Sequence, residues 1–322
     1  MRSKQARRIL QTIIVLTILG FWGLALARNW QELAEYRWEI SWPWLFLSMV
    51  VLVFQMILLA TIWWQALRLM GERVSWRLGT SLWLKTQIAR YIPGGIWDIA
   101  GRLTLGYEEG LNMRAMSASV VLEMALQVLS ASVFLIVALW LRTGTSAAAY
   151  LPGVVVVAVG SLILLLPPVF EYLVNWALRL LRRPPLDMQL SYGDMLLLFL
   201  LRVIGHILLG VGLLFFARGL TPLDWSLAPA MVTSYIGAWL IGYLALLVPM
   251  GIGVREGVWV LLLEGQMPFG ALSAIALGYR VWIAVRDLLA ALAGVLLGRE
   301  QQGLPGTVDR AAEKPSNPET GP

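Results

Sequence analysis

The chain has 322 residues, 59% of them hydrophobic and only 14% charged, with a formal net charge of +6 and a mean hydropathy of +0.73. A soluble domain is about half apolar and about a quarter charged, so the composition excludes a soluble protein and points to an integral membrane protein. Cysteine is absent, which removes a disulfide framework, a thiolate nucleophile and a cysteine metal site.

A bilayer core takes about 20 apolar residues per helix. The first predicted span is 9–27. The basic "MRSKQARR" before it resembles the start of a signal peptide, but the apolar run is too long and lacks a small-residue cleavage site. It is expected to be a retained anchor. Further spans are predicted at 44–67, 117–140, 150–169, 195–217, 227–248 and 271–297. Between the fourth and fifth, "EYLVNWALRLLRRPPL" predicts an amphipathic interfacial helix ended by Pro184 and Pro185. Residues 299–322 are polar and proline-rich and are expected to form a disordered tail. The expected domain is therefore a single transmembrane unit over 1–298.

The basic residues mostly flank apolar runs, which fits topology better than nucleic-acid binding. Arg2, Lys4, Arg7 and Arg8 place the N-terminus in the cytoplasm, and Arg68, Arg73 and Arg77 after the second span, with Arg179, Arg182 and Arg183 after the fourth, agree. Sixteen tryptophans, several at span ends, suit interface belts in the cytoplasmic membrane.

Two stretches resist a simple span: 80–110, with "RYIPGGIWDIAGR", and 249–265, "PMGIGVREGVWVLLLEG". At an offset of 156 positions they align without a gap. Trp83 falls on Trp239, Pro93 on Pro249, Gly95 on Gly251, Gly101 on Gly257, Glu108 on Glu264 and Ser117 on Ser273. This predicts an internal repeat with cores at 83–118 and 239–274. A Pro-Gly-Gly break frees backbone groups that lipid cannot satisfy, so it must face protein or a wet cavity. Each repeat is read as a re-entrant hairpin, with backbone tips at Pro93, Gly94 and Gly95 and at Pro249, Gly251 and Gly253. The competing reading is an ordinary loop between two spans. The expected fold is an all-α polytopic membrane protein with seven to eight transmembrane helices and two re-entrant hairpins.

Ionisable residues inside the membrane are functional candidates by default. Here they are Lys85, Arg90, Asp98, Arg102, Glu123, Arg202, Arg255, Glu256, Arg280, Arg286 and Asp287. The surplus of positive charge leaves room for an anionic guest such as a lipid phosphate, which arginine grips with a planar fork. Arg202, Arg255, Glu256, Arg280, Asp98, Arg102, Glu123 and Asp287 are the candidate substrate-binding residues. For Lys85, Arg90 and Arg102 the competing reading is snorkelling to headgroups. His206, one turn after Arg202, is either a packing residue or a proton carrier. Glu123 and Gln127 share a helix face, and Glu123 suits a buried arginine as partner. Arg280 and Asp287 face the same way and could pair with Arg255 and Glu256.

"RYIPGGIWDIAGR", the turn "YEEGLN", and "PMGIGVREG" followed by Tyr279-Arg280 resemble the flippase-like transmembrane domain at the N-terminal side of lysylphosphatidylglycerol synthases. That domain also occurs in many stand-alone bacterial and archaeal membrane proteins. The resemblance runs from the first span to the last. No aminoacyl-transferase domain follows, so it implies translocation of an anionic lipid or lipid-linked headgroup rather than lipid aminoacylation. A lone histidine, no HExxH and no aspartate-x-aspartate argue against an enzyme and against a metal or cofactor. Two other classes stay open: a secondary transporter of a small anion, and an accessory membrane subunit of a lipid-modifying enzyme or glycosyltransferase.

Overall fold

The computed structural model describes residues 34–92, 96–143, 165–245, 251 and 253–302, with 156, 159, 160 and 163. The chain is helical, with no strand among the described residues. In order come α1 (Trp42–Leu69), α2 (Trp76–Thr86), a 3-10 turn (Gln87–Tyr91), α3 (Trp97–Glu108), α4 (Met113–Thr143), α5 (Pro167–Leu180), α6 (Tyr192–Arg218), a 3-10 turn (Trp225–Leu227), α7 (Ala228–Leu244), α8 (Val254–Leu262) and α9 (Phe269–Gln302). Five stretches among the described residues are long and apolar enough to cross a bilayer: Trp42–Leu69, Met113–Arg142, Tyr192–Arg218, Trp225–Leu244 and Phe269–Gly298. They contain or overlap the predicted spans at 44–67, 117–140, 195–217, 227–248 and 271–297. The predicted span at 9–27, the tail and most of 150–169 lie outside the described residues.

The sequence pattern on each long helix is two-sided. Trp42, Phe46, Val50 and Phe54 are exposed on one stripe of α1, whereas Leu45, Ser48, Leu52, Gln55 and Met56 are buried on the other. A repeat of three and four residues puts each set on its own face. The exposed stripe suits lipid, which welcomes apolar side chains, so burial in protein must come from close packing.

That packing rests on small residues. Helices α1 and α6 run antiparallel: a Cβ at Gly219, Gly212 or Gly205 would meet Leu45, Leu52 or Leu59 in turn. Ser48 Oγ donates to Gly212 O at 2.7 Å across this seam. A methyl at Gly212 would lie 2.6 Å from Leu52 Cδ2 and 2.9 Å from the Tyr279 hydroxyl, which itself donates to Leu209 O at 2.7 Å. Gly212→Ala is therefore expected to lower stability by about 1–3 kcal/mol, the usual range for overpacking. Thermal unfolding in detergent measures this, and an unchanged midpoint would contradict the close approach.

Two apolar cores flank this antiparallel pair. One gathers the second half of α1 with α2, α4 and the start of α6. The other gathers the first half of α1, the end of α6, and α7, α8 and α9. The two halves share an order: long helix, helix, break, short helix, glycine turn, long helix. Gly110 and Gly265 in the turns have φ of 82° and 83°. The halves also cross over. Helix α2 packs on α9, where Ser81 Oγ donates to Gly294 O at 2.8 Å. Helix α7 packs on α4, where Ile236 and Leu240 cluster with Ala131 and Phe134.

One boundary differs from expectation. The span predicted to reach residue 169 gives way to a separate helix at Pro167, because proline pre-sets φ at a helix start and has no N–H to lose. This α5 buries Phe170 and exposes Tyr172, Trp176 and Leu180. Its Asn175 side chain holds Leu186 by both backbone groups, at 2.8 and 3.2 Å.

Candidate functional site

Each half is interrupted at the place the glycines and prolines foretell. In the first, Thr86 Oγ1 donates to Leu82 O and Trp83 O, both at 3.0 Å, and Gln87 Nε2 to Trp83 O at 3.0 Å. Such side-chain bonds compete with the helical ladder, and α2 tightens into the 3-10 turn at Gln87–Tyr91. Pro93, Gly94, Gly95 and Pro249 lie outside the described residues. In the second break Gly251 and Gly253 have φ of 59° and 79°. The Gly253 N–H at the start of α8 is taken by Glu256 Oε2 at 2.7 Å.

A first cluster forms behind the first break. Arg102 on α3 and Glu123 on α4 are both buried, and Arg102 Nη1 meets Glu123 Oε2 at 2.6 Å. Trp83 Nε1 donates to Glu123 Oε1 at 2.9 Å, and the Arg102 guanidinium lies over the Trp63 ring at 4.9 Å. One turn further along α4, Gln127 accepts from Arg202 Nη2 through its side chain, and its backbone oxygen lies 3.3 Å from His206 Nε2. His206 packs against Trp239 at 5.4 Å, which stacks on Tyr243. Arg202 is 3% exposed and makes no ion pair among the described residues. Its electrostatic neighbours are Glu123, Tyr243, Arg90 and Arg102. Asp98 is in electrostatic range of Tyr243.

A second cluster sits at the second break. Glu256 Oε1 accepts from Arg255 Nε at 3.1 Å and from Arg280 Nη1 at 2.7 Å. Arg255 stands over the Tyr235 ring at 5.5 Å. A third cluster lies further along α9. Asp287, fully buried, accepts from Arg286 Nη2 at 2.6 Å and from the Tyr91 hydroxyl at 2.9 Å, with Arg90 Nη1 at 3.7 Å. Arg286 Nη1 also donates to Gln55 Oε1 on α1 at 3.0 Å. Arg286 lies in electrostatic range of Tyr235 and Tyr279 beside the second cluster. Arg90 reaches Asp287 from the 3-10 turn that ends α2, the helix that carries Trp83 of the first cluster.

The candidate residues thus fall into neighbouring groups. Glu123 has its arginine, Arg102, and Arg280 pairs with Glu256 as anticipated. Asp287 does not join Arg255 and Glu256; its partners are Arg286, Tyr91 and Arg90, because it lies two turns along α9 from Arg280. Arg102 does not snorkel: its ion pair with Glu123 holds it inside the protein at 3% exposure. Sequence reasoning passed over Gln55, Tyr91 and Trp83 as partners. Gln55 carries a signal, an amide in the middle of the apolar run of α1, whereas the two aromatics carry none. Among the described residues no three His, Cys, Asp or Glu side chains gather as a metal site.

Long apolar helices that bury paired charges beside interrupted helices define a multi-pass membrane protein. The chain belongs to the lysylphosphatidylglycerol synthase transmembrane-region family, whose model matches residues 9–290. It is therefore a membrane protein related to lipid handling. No curated protein matches it.

Proposed function

We propose that this protein is a carrier, not an enzyme, that moves a lipid or lipid-linked group with an anionic headgroup across the cytoplasmic membrane, with its N-terminus in the cytoplasm. The observation that carries this reading is the charge balance beside the two breaks. Arg90, Arg102, Arg202, Arg255, Arg280 and Arg286 stand against Glu123, Glu256 and Asp287, with Asp98 nearby. Unpaired buried charge is very costly, so a surplus of guanidinium groups favours an anion that spends part of its time among them. The interrupted helices suit a transport path, because broken backbone at membrane depth is tolerated where it faces protein or a polar cavity. Acyl chains would stay in lipid while the headgroup passes the clusters.

The test is leaflet-to-leaflet transfer of a fluorescent phosphatidylglycerol in proteoliposomes, read by quenching from outside. Arg255→Gln and Arg280→Gln are each expected to slow transfer by about tenfold or more, since a hydrogen bond to a charged group contributes about 1.5–3 kcal/mol. Lysine at either position should rescue in part, because it keeps the charge and loses the fork. Wild-type rates in both glutamine variants would overturn the reading.

A further inference from the structure

We infer that Arg90, Arg102 and Arg202 form a seat for a phosphoryl group. The inference rests on the transport reading and assigns the headgroup's phosphate to one of the charge clusters. The observation is a set of donors with nothing to donate to. Arg90 Nε, Arg102 Nε, and Arg202 Nε and Nη1 are buried and have no hydrogen-bond partner among the described residues. Buried polar groups are almost always paired, so each exception calls for an explanation. Here four orphaned N–H-bearing nitrogens lie on three guanidinium groups. Arg102 and Arg202 meet Glu123 and Gln127, one turn apart on α4, and Arg90 stands on the 3-10 turn that follows Trp83, the other partner of Glu123.

The local charge points the same way. The carboxylate paired within this group is Glu123, and it is engaged by Arg102 and by Trp83. Arg202 leans on the neutral amide of Gln127. Arg90 reaches Asp287 at only 3.7 Å, and that carboxylate already receives Arg286 and Tyr91. With Glu123 engaged by Arg102 and Asp287 by Arg286 and Tyr91, the orphaned N–H groups of these three arginines suit an oxyanion with several acceptor lone pairs, which a phosphoryl group supplies. The second cluster differs: Glu256 lies between Arg255 and Arg280 and also holds the Gly253 N–H. There Glu256 engages both arginines, so a headgroup that passes this cluster has to displace its carboxylate. Arg90 is the more exposed flank of the seat, with a side chain 30% exposed against 4% for Arg102 and 9% for Glu123.

The test is binding to the purified full chain in a neutral detergent, by calorimetry. The two probes are inorganic phosphate and short-chain dihexanoyl phosphatidylglycerol. Glu123→Gln removes the competing carboxylate's charge and is expected to tighten binding by about tenfold, while a purely structural Glu123 would give no tightening. Arg202→Gln is expected to weaken binding by about tenfold or more, with Arg202→Lys between. Glu123→Gln breaks a buried ion pair and Arg202→Gln removes a buried charge; if either fails to fold, Arg202→Lys decides, and unchanged affinity for both probes overturns the seat. Tightening toward both probes means that the phosphoryl group suffices. Tightening toward the lipid alone means that the seat needs the acylated molecule, and either result supports it. Unchanged or weaker binding of both probes by Glu123→Gln overturns the seat. That outcome leaves the transport reading to be judged separately, by the Arg255 and Arg280 variants in vesicles.

Discussion

Replacing Asp287 with asparagine is expected to lower folding stability by about 3–5 kcal/mol, the usual cost of removing one partner from a buried ion pair. The side chain is fully buried. One oxygen receives two nitrogens of Arg286, at 2.9 and 2.6 Å, and the other receives the Tyr91 hydroxyl at 2.9 Å. Asparagine keeps the volume and one acceptor oxygen but loses the charge, so a guanidinium that is 4% exposed faces only neutral amides, the asparagine's own and that of Gln55. Thermal unfolding in detergent, followed by tryptophan fluorescence, should show a large drop in midpoint. Replacing both members, as Arg286→Met with Asp287→Leu, should recover most of the loss, because an apolar pair of similar volume needs no counter-charge. The exposed pair Arg142–Glu264 at 3.5 Å, with side chains 39% and 70% exposed, provides the contrast. Glu264→Gln is expected to change stability by less than about 1 kcal/mol. A wild-type midpoint for Asp287→Asn would refute the account.

Gly251→Ala should disrupt the second break. The φ of 59° falls in the left-handed region, where a Cβ costs about 1–2 kcal/mol. That Cβ would also lie 2.5 Å from Gly242 O, 2.7 Å from its carbonyl carbon and 2.8 Å from its Cα. All three are backbone atoms, so no side chain can swing aside. Helix α7 and the break would have to separate, and Arg255 would lose its seat against Gly242, where a Cβ would come 2.9 Å from Arg255 Cβ. The expected loss is more than about 2 kcal/mol, and transfer in vesicles should fall with it. The control is Gly257→Ala in the middle of α8, where a Cβ would meet nothing within 4 Å. It should raise stability by up to about 1 kcal/mol through helix propensity. Equal behaviour of the two variants would show that the break does not need its glycine.

The long helices and the interruptions were legible because both are local. Apolar length marks a span, and Pro-Gly clusters mark where the ladder must stop. Partnership among the charges was legible for Arg280 with Glu256, and where the helical period enforces it. Glu123 and Gln127, four apart on α4, do face one region and take Arg102 and Arg202 respectively. Arg286 and Asp287 are consecutive, and consecutive residues on a helix point in different directions. The long arginine chain wraps back to its neighbour all the same, an outcome that no spacing rule anticipates. The start of α5 at Pro167 was missed because the apolar run continues through it, although a proline at a helix start is a recognised signal.

The crossing of the two halves has a consequence for how the chain is made. Ser81 on α2 finds its acceptor 213 residues later, on α9. Gln55 on α1 finds Arg286 231 residues later. A ribosome delivers α1 and α2 to the membrane long before either partner exists. The early helices must then wait in lipid, or against the insertion machinery, with an amide and a hydroxyl unmet. Helix α9, the last of the described helices to be synthesised, closes the seams of the first. An error near the end of translation would thus damage the segments inserted at its beginning.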